Sequence, residues 1–230
     1  MGSSSSSQKA SSGKIVITYW PLRGLGQQIH WLCEVGGIDY EVRHMNGPLW
    51  QTEKPSIELD YPNIPHILDG DFRMSESSAI MKYLSKKCGL APKTNAEVAN
   101  SDMAEGALGD LTSPFGRLIF SDNYDTEKLK YPEQYKAKLA VFEKVLSKRP
   151  FLAGDRLTWT DIVLYESLDV NSMFVPGILD DFPKVQEFKA KIDSLENVVA
   201  YRNSDRFKAW PVTGGPARWG KVAGETIFSA

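Results

Sequence analysis

The spacing of hydrophobic positions changes once along the chain, and the change divides it in two. Lys14-Ile15-Val16-Ile17-Thr18-Tyr19 is a β-branched run that predicts a strand, and Trp20-Pro21-Leu22-Arg23-Gly24 predicts a turn after it. Leu25, Ile29, Leu32 and Val35 then recur at helical spacing until Gly36-Gly37 stops the helix. Asp39 to Arg43 reads as a second strand. Ile64 to Leu68 and Phe72 to Met74 flank Asp69-Gly70, a two-residue hairpin signal. Glu76 to Lys86 returns to helix, with Ile80 and Leu84 one turn apart.

From about Asn95 onward the strand pattern stops. Thr94 and Glu97 are spaced as a capping box before a long helix. Pro132 opens another, with Tyr135, Leu139, Phe142 and Leu146 on one face. In Leu157-Thr158-Trp159-Thr160-Asp161-Ile162, Thr158 can cap, Asp161 can reach back and Leu157 can staple onto Ile162. That helix runs through Leu164 and Leu168 toward Val170, and Phe182 to Leu195 is the last one predicted. The order strand, helix, strand, hairpin, helix predicts an α/β thioredoxin-like N-terminal domain over 14–91. A polar linker (92–94), an all-α helical-bundle domain (95–213) and a C-terminal extension (214–230) complete the expected layout.

Composition narrows the function classes. At 230 residues and 42% hydrophobic the chain can bury a sizeable core. A net charge of −2 argues against nucleic acid or an anionic membrane as obligatory partner. No stretch approaches the roughly 20 apolar residues of a spanning helix. Residues 1–13 are dominated by Ser and lack the apolar centre of a signal peptide, so they read as a tag or a tail. Cys33 and Cys88 form no C-x-x-C, and His30, His44 and His66 show no ligand spacing, so no metal is expected. Cys33 falls on the apolar side of its helix as a plain buried thiol. A reducing, cytoplasmic setting fits such cysteine usage.

The chemistry concentrates in the first half. A phenol at the end of a strand, aimed at a helix N-terminus, can donate a hydrogen bond to an anion held there, and Tyr19 has that placement. Pro65, opening a strand after Asn63-Ile64, suits a cis bond that would turn the Ile64 N–H and C=O outward; an ordinary edge-strand proline fits the pattern as well. Glu76-Ser77 begins a helix whose free N–H groups and hydroxyl suit a carboxylate, while the Glu suits an ammonium; a plain acidic first turn is the bland alternative. Trp50 and Lys54, one helical turn apart in a polar, Pro-containing loop, could hold a second carboxylate or simply cover the core. Together these pieces describe a cradle for a small, charged thiol peptide.

The same residues carry a family resemblance. From Lys14 to Trp219 the chain resembles a cytosolic glutathione transferase, most similar to the mu class and its helminth relatives. The resemblance rests on Tyr19-Trp20 with Arg23-Gly24-Leu25, on Tyr61-Pro62-Asn63-Ile64-Pro65, on Asp69-Gly70 and on Ser77-Ser78-Ala79-Ile80. Arg149 to Asp155, Thr158 to Asp161 and Ala209-Trp210-Pro211-Val212 extend it. It implies that Tyr19 hydrogen-bonds the glutathione sulfur, and that Trp20, Leu25, Trp50 and Lys54 line the peptide pocket. Asn63, Ile64 and Pro65 would pair with the cysteinyl backbone, and Glu76 and Ser77 would take the γ-glutamyl end. Asp110 would reach that end from a neighbouring subunit, with Tyr61 and Lys82 at the contact of a homodimer. Leu22, Leu25, Gly116, Phe120 and Thr213 would form the electrophile pocket.

Four departures stand out. The loop before Trp50 is short, Glu76 replaces a glutamine, Phe120 replaces a second tyrosine, and Lys82 replaces an arginine that stacks across the dimer axis. The resemblance implies a detoxifying enzyme, with glutathione as co-substrate, that conjugates the thiolate to small hydrophobic electrophiles. A non-catalytic hydrophobic-ligand carrier of the same fold, or a glutathione-dependent isomerase or peroxidase, are the alternatives. A thiol–disulfide oxidoreductase is disfavoured, because no cysteine stands at the Tyr19 turn.

Overall fold

A computed structural model describes residues 13–222. All but the last residue of the Ser-rich segment 1–13, and the end of the extension expected over 214–230, lie outside the described residues. The first half contains β1 (Ile15–Tyr19), α1 (Gly26–Gly36), β2 (Tyr40–His44), α2 (Gly47–Glu53), β3 (His66–Asp69), β4 (Phe72–Ser75) and α3 (Ser77–Lys87). The second half contains α4 (Asn95–Ile119), α5 (Tyr124–Glu127), α6 (Tyr131–Leu146), α7 (Trp159–Phe174), α8 (Pro183–Asp193) and α9 (Glu196–Arg202). This is a thioredoxin-like α/β unit followed by a helical one.

The sheet order is β2-β1-β3-β4, with β1 parallel to β2 and antiparallel to β3. β1 is buried at every position but Val16: Ile15, Ile17, Thr18 and Tyr19 are all 6% exposed or less. That is why its sequence reads as a continuous β-branched run and not as an alternation. The β3–β4 hairpin turns at Gly70-Asp71, one residue later than expected, because Asp69 still pairs with Phe72. Gly70 supplies the positive φ of 61° that the turn needs.

Three expectations need correction. Trp50 does not lie in a loop: Asn46 caps α2 by accepting the Leu49 N–H at 2.9 Å, and Pro48 sits in the first turn. Leu25 is not on the buried face of α1 but precedes the helix and is 53% exposed, whereas Trp31 is fully buried. Phe182 to Leu195 is not the last helix, because Leu195 is extended and α9 restarts at Glu196.

The helical half is anchored at its caps. At Thr94 and at Thr158 both arms of a capping box form. The fully buried Asp161 carboxylate accepts from the Leu152 N–H at 2.7 Å and from the Thr158 N–H at 2.8 Å. The segment after α9 folds back: Arg218 N–H donates to the Ile119 carbonyl at 2.7 Å, and the Trp219 ring packs edge-on against Phe115 and Phe174.

Candidate active site

Tyr19 closes β1, and its ring is 6% exposed, packed with Met45 and Ile64 and flanked by Trp20, Leu22, Leu49 and Trp50. Its hydroxyl accepts the Leu25 backbone N–H at 2.8 Å, at the approach to α1. With a lone pair so engaged, the phenol keeps its own proton to give away. Burial pushes its pKa up to about 12, against the lowering effect of the Leu25 N–H, so the group remains a donor at any physiological pH.

Two glycines make room for the ring. A Cβ at Gly24 would lie 2.5 Å from the Tyr19 hydroxyl oxygen, and one at Gly26 would lie 2.9 Å from its Cγ. Gly24 also has φ of 38°, in the left-handed region.

The turn from β1 to α1 is held from the helical half. Arg23, 2% exposed, places its guanidinium 2.6 Å from Glu166 and 2.7 Å from Asp169 on α7, and Trp31 donates to Glu166 at 2.8 Å. Burial opposes the charge on Arg23, but the two carboxylates outweigh it and hold its pKa above the ordinary value. Arg202 and Lys189 add positive charge at Asp169, which stays below the usual carboxylate range even though burial works against it. The Arg23 and Gly24 N–H groups donate to the Pro211 and Val212 carbonyls at 3.0 and 2.9 Å.

Beside the Tyr19 ring opens a cavity of about 410 Å³. Trp20, Leu22, Leu25, Gly116, Phe120 and Thr213 are among its lining residues, together with Phe115, Ile119, Val163 and Val170. The Thr213 hydroxyl donates to the Trp219 carbonyl. On the other side of Tyr19, the Asn63 amide donates to the Glu76 carboxylate at 3.4 Å. Glu76 precedes α3 and does not belong to it, and it holds φ of 69°. A non-glycine residue in that region carries strain of about 1–3 kcal/mol, a feature that clusters at ligand sites. Ser77 is the first helical residue. The Ile64–Pro65 peptide is cis, but the Ile64 N–H is not open as expected: the Asn63 side chain accepts it at 2.9 Å. The Lys54 ammonium lies 5.7 Å from the Trp50 ring centroid.

Three further residues were expected at a subunit contact. Tyr61 is 72% exposed, Asp110 is 3.9 Å from Lys138, and Lys82 donates to Glu105 at 2.6 Å while lying over the Trp159 ring.

Comparison with known proteins decides the family. Residues 15–86 match the glutathione S-transferase N-terminal domain and residues 109–205 match the C-terminal domain. The chain is 34% identical over 218 residues to glutathione S-transferase Mu 5 of Mus musculus, covering 91% of this chain and 97% of that one. The chain belongs to the glutathione S-transferase family. It is similar as well to glutathione S-transferase Mu 1 of Bos taurus, 31% identical over 90% of this chain and 98% of that protein. Among solved structures, glutathione S-transferase Blo t 8 superposes with a TM-score of 0.84 at 27% identity, over 89% of this chain and 99% of that one. The pi-class glutathione S-transferase of Onchocerca volvulus gives 0.81 at 26% identity, over 90% and 100%. As a family member the chain is a transferase that uses glutathione.

Sequence reasoning did not find Arg23, Glu166 and Asp169 as a unit, nor the role of Gly26. A signal existed for the first: two acids three residues apart on the apolar α7 need a buried cation. Among the described residues no group of three or more His, Cys, Asp or Glu could hold a metal, and no helix is long and apolar enough to cross a membrane.

Proposed function

We propose that this chain ionises the thiol of bound glutathione at Tyr19 and transfers the sulfur to an electrophilic carbon of a small, largely apolar compound. The carbon–sulfur bond forms as a leaving group departs, or as an epoxide or activated alkene takes up the electron pair and then a proton. The observation that carries this reading is the Tyr19 hydroxyl, accepting the Leu25 N–H at 2.8 Å on the wall of a cavity of about 410 Å³ with mainly apolar lining. A free thiol ionises near pH 8.5, and lowering that by about two units requires roughly 2.7 kcal/mol. One charge-assisted hydrogen bond from a phenol supplies most of it, and the N-terminal dipole of α1 adds to it.

In this reading glutathione lies along the Asn63–Pro65 segment, with its γ-glutamyl end at Glu76 and Ser77 and its glycine carboxylate at Trp50 and Lys54. Trp20 and Leu25 lie between the two substrates. Leu22, Gly116, Phe120 and Thr213 receive the electrophile. The partner subunit's Asp110 completes the γ-glutamyl end in a homodimer whose contact includes Tyr61 and Lys82. Free Cys33, buried, and Cys88, half-buried, suit a reducing cytoplasmic setting.

The test is glutathione-dependent turnover of an aryl halide, an epoxide, an enone and a hydroperoxide. Conjugation of the first three is expected. Tight binding of large apolar ligands with no turnover of any of the four would overturn the reading in favour of a carrier.

A further inference from the structure

The electrophile cavity is apolar along its walls but not at its buried end. Leu25 and Phe120, 53% and 55% exposed, stand at the mouth, whereas Ser167 and Asn171, 7% and 2% exposed, form the floor one turn apart on α7. Both floor residues belong to a short hydrogen-bond chain. The Tyr131 hydroxyl donates to Asn171 Oδ1 at 2.7 Å, Asn171 Nδ2 donates to the Ser167 carbonyl at 2.8 Å, and the Tyr135 hydroxyl lies 3.2 Å from Ser167 Oγ. A carboxamide nitrogen carries two protons, and this chain uses one. When Tyr135 donates to Ser167, the serine hydroxyl also keeps its proton. With Tyr135 donating, the floor presents two donors to the cavity, one from Asn171 Nδ2 and one from Ser167 Oγ.

A ligand group matching them is a hydrogen-bond acceptor, and its charge follows from the rest of the lining. Among the described residues no Lys, Arg or His lines the cavity, and Glu166 brings a carboxylate to it. An anionic ligand group would be desolvated there without a cation to pair with. A carbonyl or nitro oxygen has no such cost.

We propose that this cavity selects elongated apolar electrophiles bearing a neutral hydrogen-bond acceptor at the end remote from the carbon that sulfur attacks, received by Ser167 and Asn171. The inference rests on the conjugation reading, which puts the sulfur at Tyr19.

The test uses two benzylic chlorides of nearly the same shape, 4-acetylbenzyl chloride and 4-isopropylbenzyl chloride, with glutathione saturating. Comparing each variant with the wild type cancels the intrinsic reactivity of each chloride. Ser167→Ala is expected to lower kcat/KM for the acetyl compound by about fivefold, the size of one neutral hydrogen bond. It should leave the isopropyl compound unchanged, and Ser167→Thr, which keeps the hydroxyl, should retain wild-type discrimination. Should Ser167→Ala fail to fold, Asn171→Asp is the second arm: it keeps the acceptor for Tyr131, removes the amide donors and should give the same selective loss. Equal changes for both chlorides in these variants would overturn the inference while leaving conjugation intact. A wild-type protein that conjugated neither chloride would overturn the conjugation reading and this inference with it.

Discussion

Gly26→Ala separates what helix propensity predicts from what the site demands. Alanine is a better helix former than glycine by up to about 1 kcal/mol, so propensity alone predicts a more stable protein. The added Cβ would fall 2.9 Å from Cγ and 3.1 Å from Cε1 of Tyr19, and closer still to Cδ1. Carbon atoms sit comfortably about 3.5–4.0 Å apart, so the ring has to retreat by on the order of 1 Å. It has little space to do so, being 6% exposed, packed on Met45 and Ile64 and tied to the Leu25 N–H. Overpacking of this kind costs about 1–3 kcal/mol, which leaves a net destabilisation of about 1 kcal/mol after the propensity gain. A 1 Å displacement of a positioned catalytic group can cost about 100-fold in rate. Steady-state kinetics of glutathione conjugation together with thermal unfolding reads both effects. A variant with wild-type kcat/KM and a raised Tm would show that the ring does not need the space Gly26 leaves.

Three further outcomes follow from the same geometry. Arg23→Met leaves Glu166 and Asp169 buried without their shared cation and should cost about 3–5 kcal/mol in urea unfolding; a loss below about 1 kcal/mol would contradict the buried network. His30 is held neutral, its pKa pushed down to about 4 by burial first and then by His44 and Arg206. Because the folded value lies below the unfolded one, its contribution is fully present above pH 6.5 and is lost as pH falls through about 4, up to roughly 3 kcal/mol; the unfolding free energy of His30→Gln should therefore fall less between these limits than that of the wild type. Gly116→Ala, with nothing within 4 Å of the new methyl group, should raise stability by about 0.5–1 kcal/mol in α4. It should also lower kcat/KM more for bulky electrophiles than for small ones, since Gly116 lines the cavity.

What could be read from the sequence, and what could not, divides along the range of the interactions. Both capping boxes, the Gly37 stop of α1 and the hairpin at Gly70 are set within four or five residues, so their side chains announce them. Helix α2 was missed because its start, Asn46-Gly47-Pro48, looks like loop composition unless Asn46 is recognised as a cap. Helix α9 was missed because one extended residue, Leu195, separates it from α8. The partners of Arg23 lie 143 and 146 residues away, and no local pattern links them. Gly24 was visible only as a turn residue and Gly26 not at all, and it takes the position of the Tyr19 ring to show what they leave room for. The Ile64 N–H was expected to face outward on backbone grounds, but the neighbouring Asn63 side-chain oxygen accepts it.

The most direct test of the account is the ionisation of glutathione bound to the wild type and to Tyr19→Phe, followed by thiolate absorbance against pH. The wild type should ionise the bound thiol about two pH units below the free value near 8.5, and the phenylalanine variant should return most of that shift while binding glutathione with nearly unchanged affinity. Equal thiol pKa values in the two proteins would contradict the assignment of Tyr19 as the group that steadies the sulfur anion.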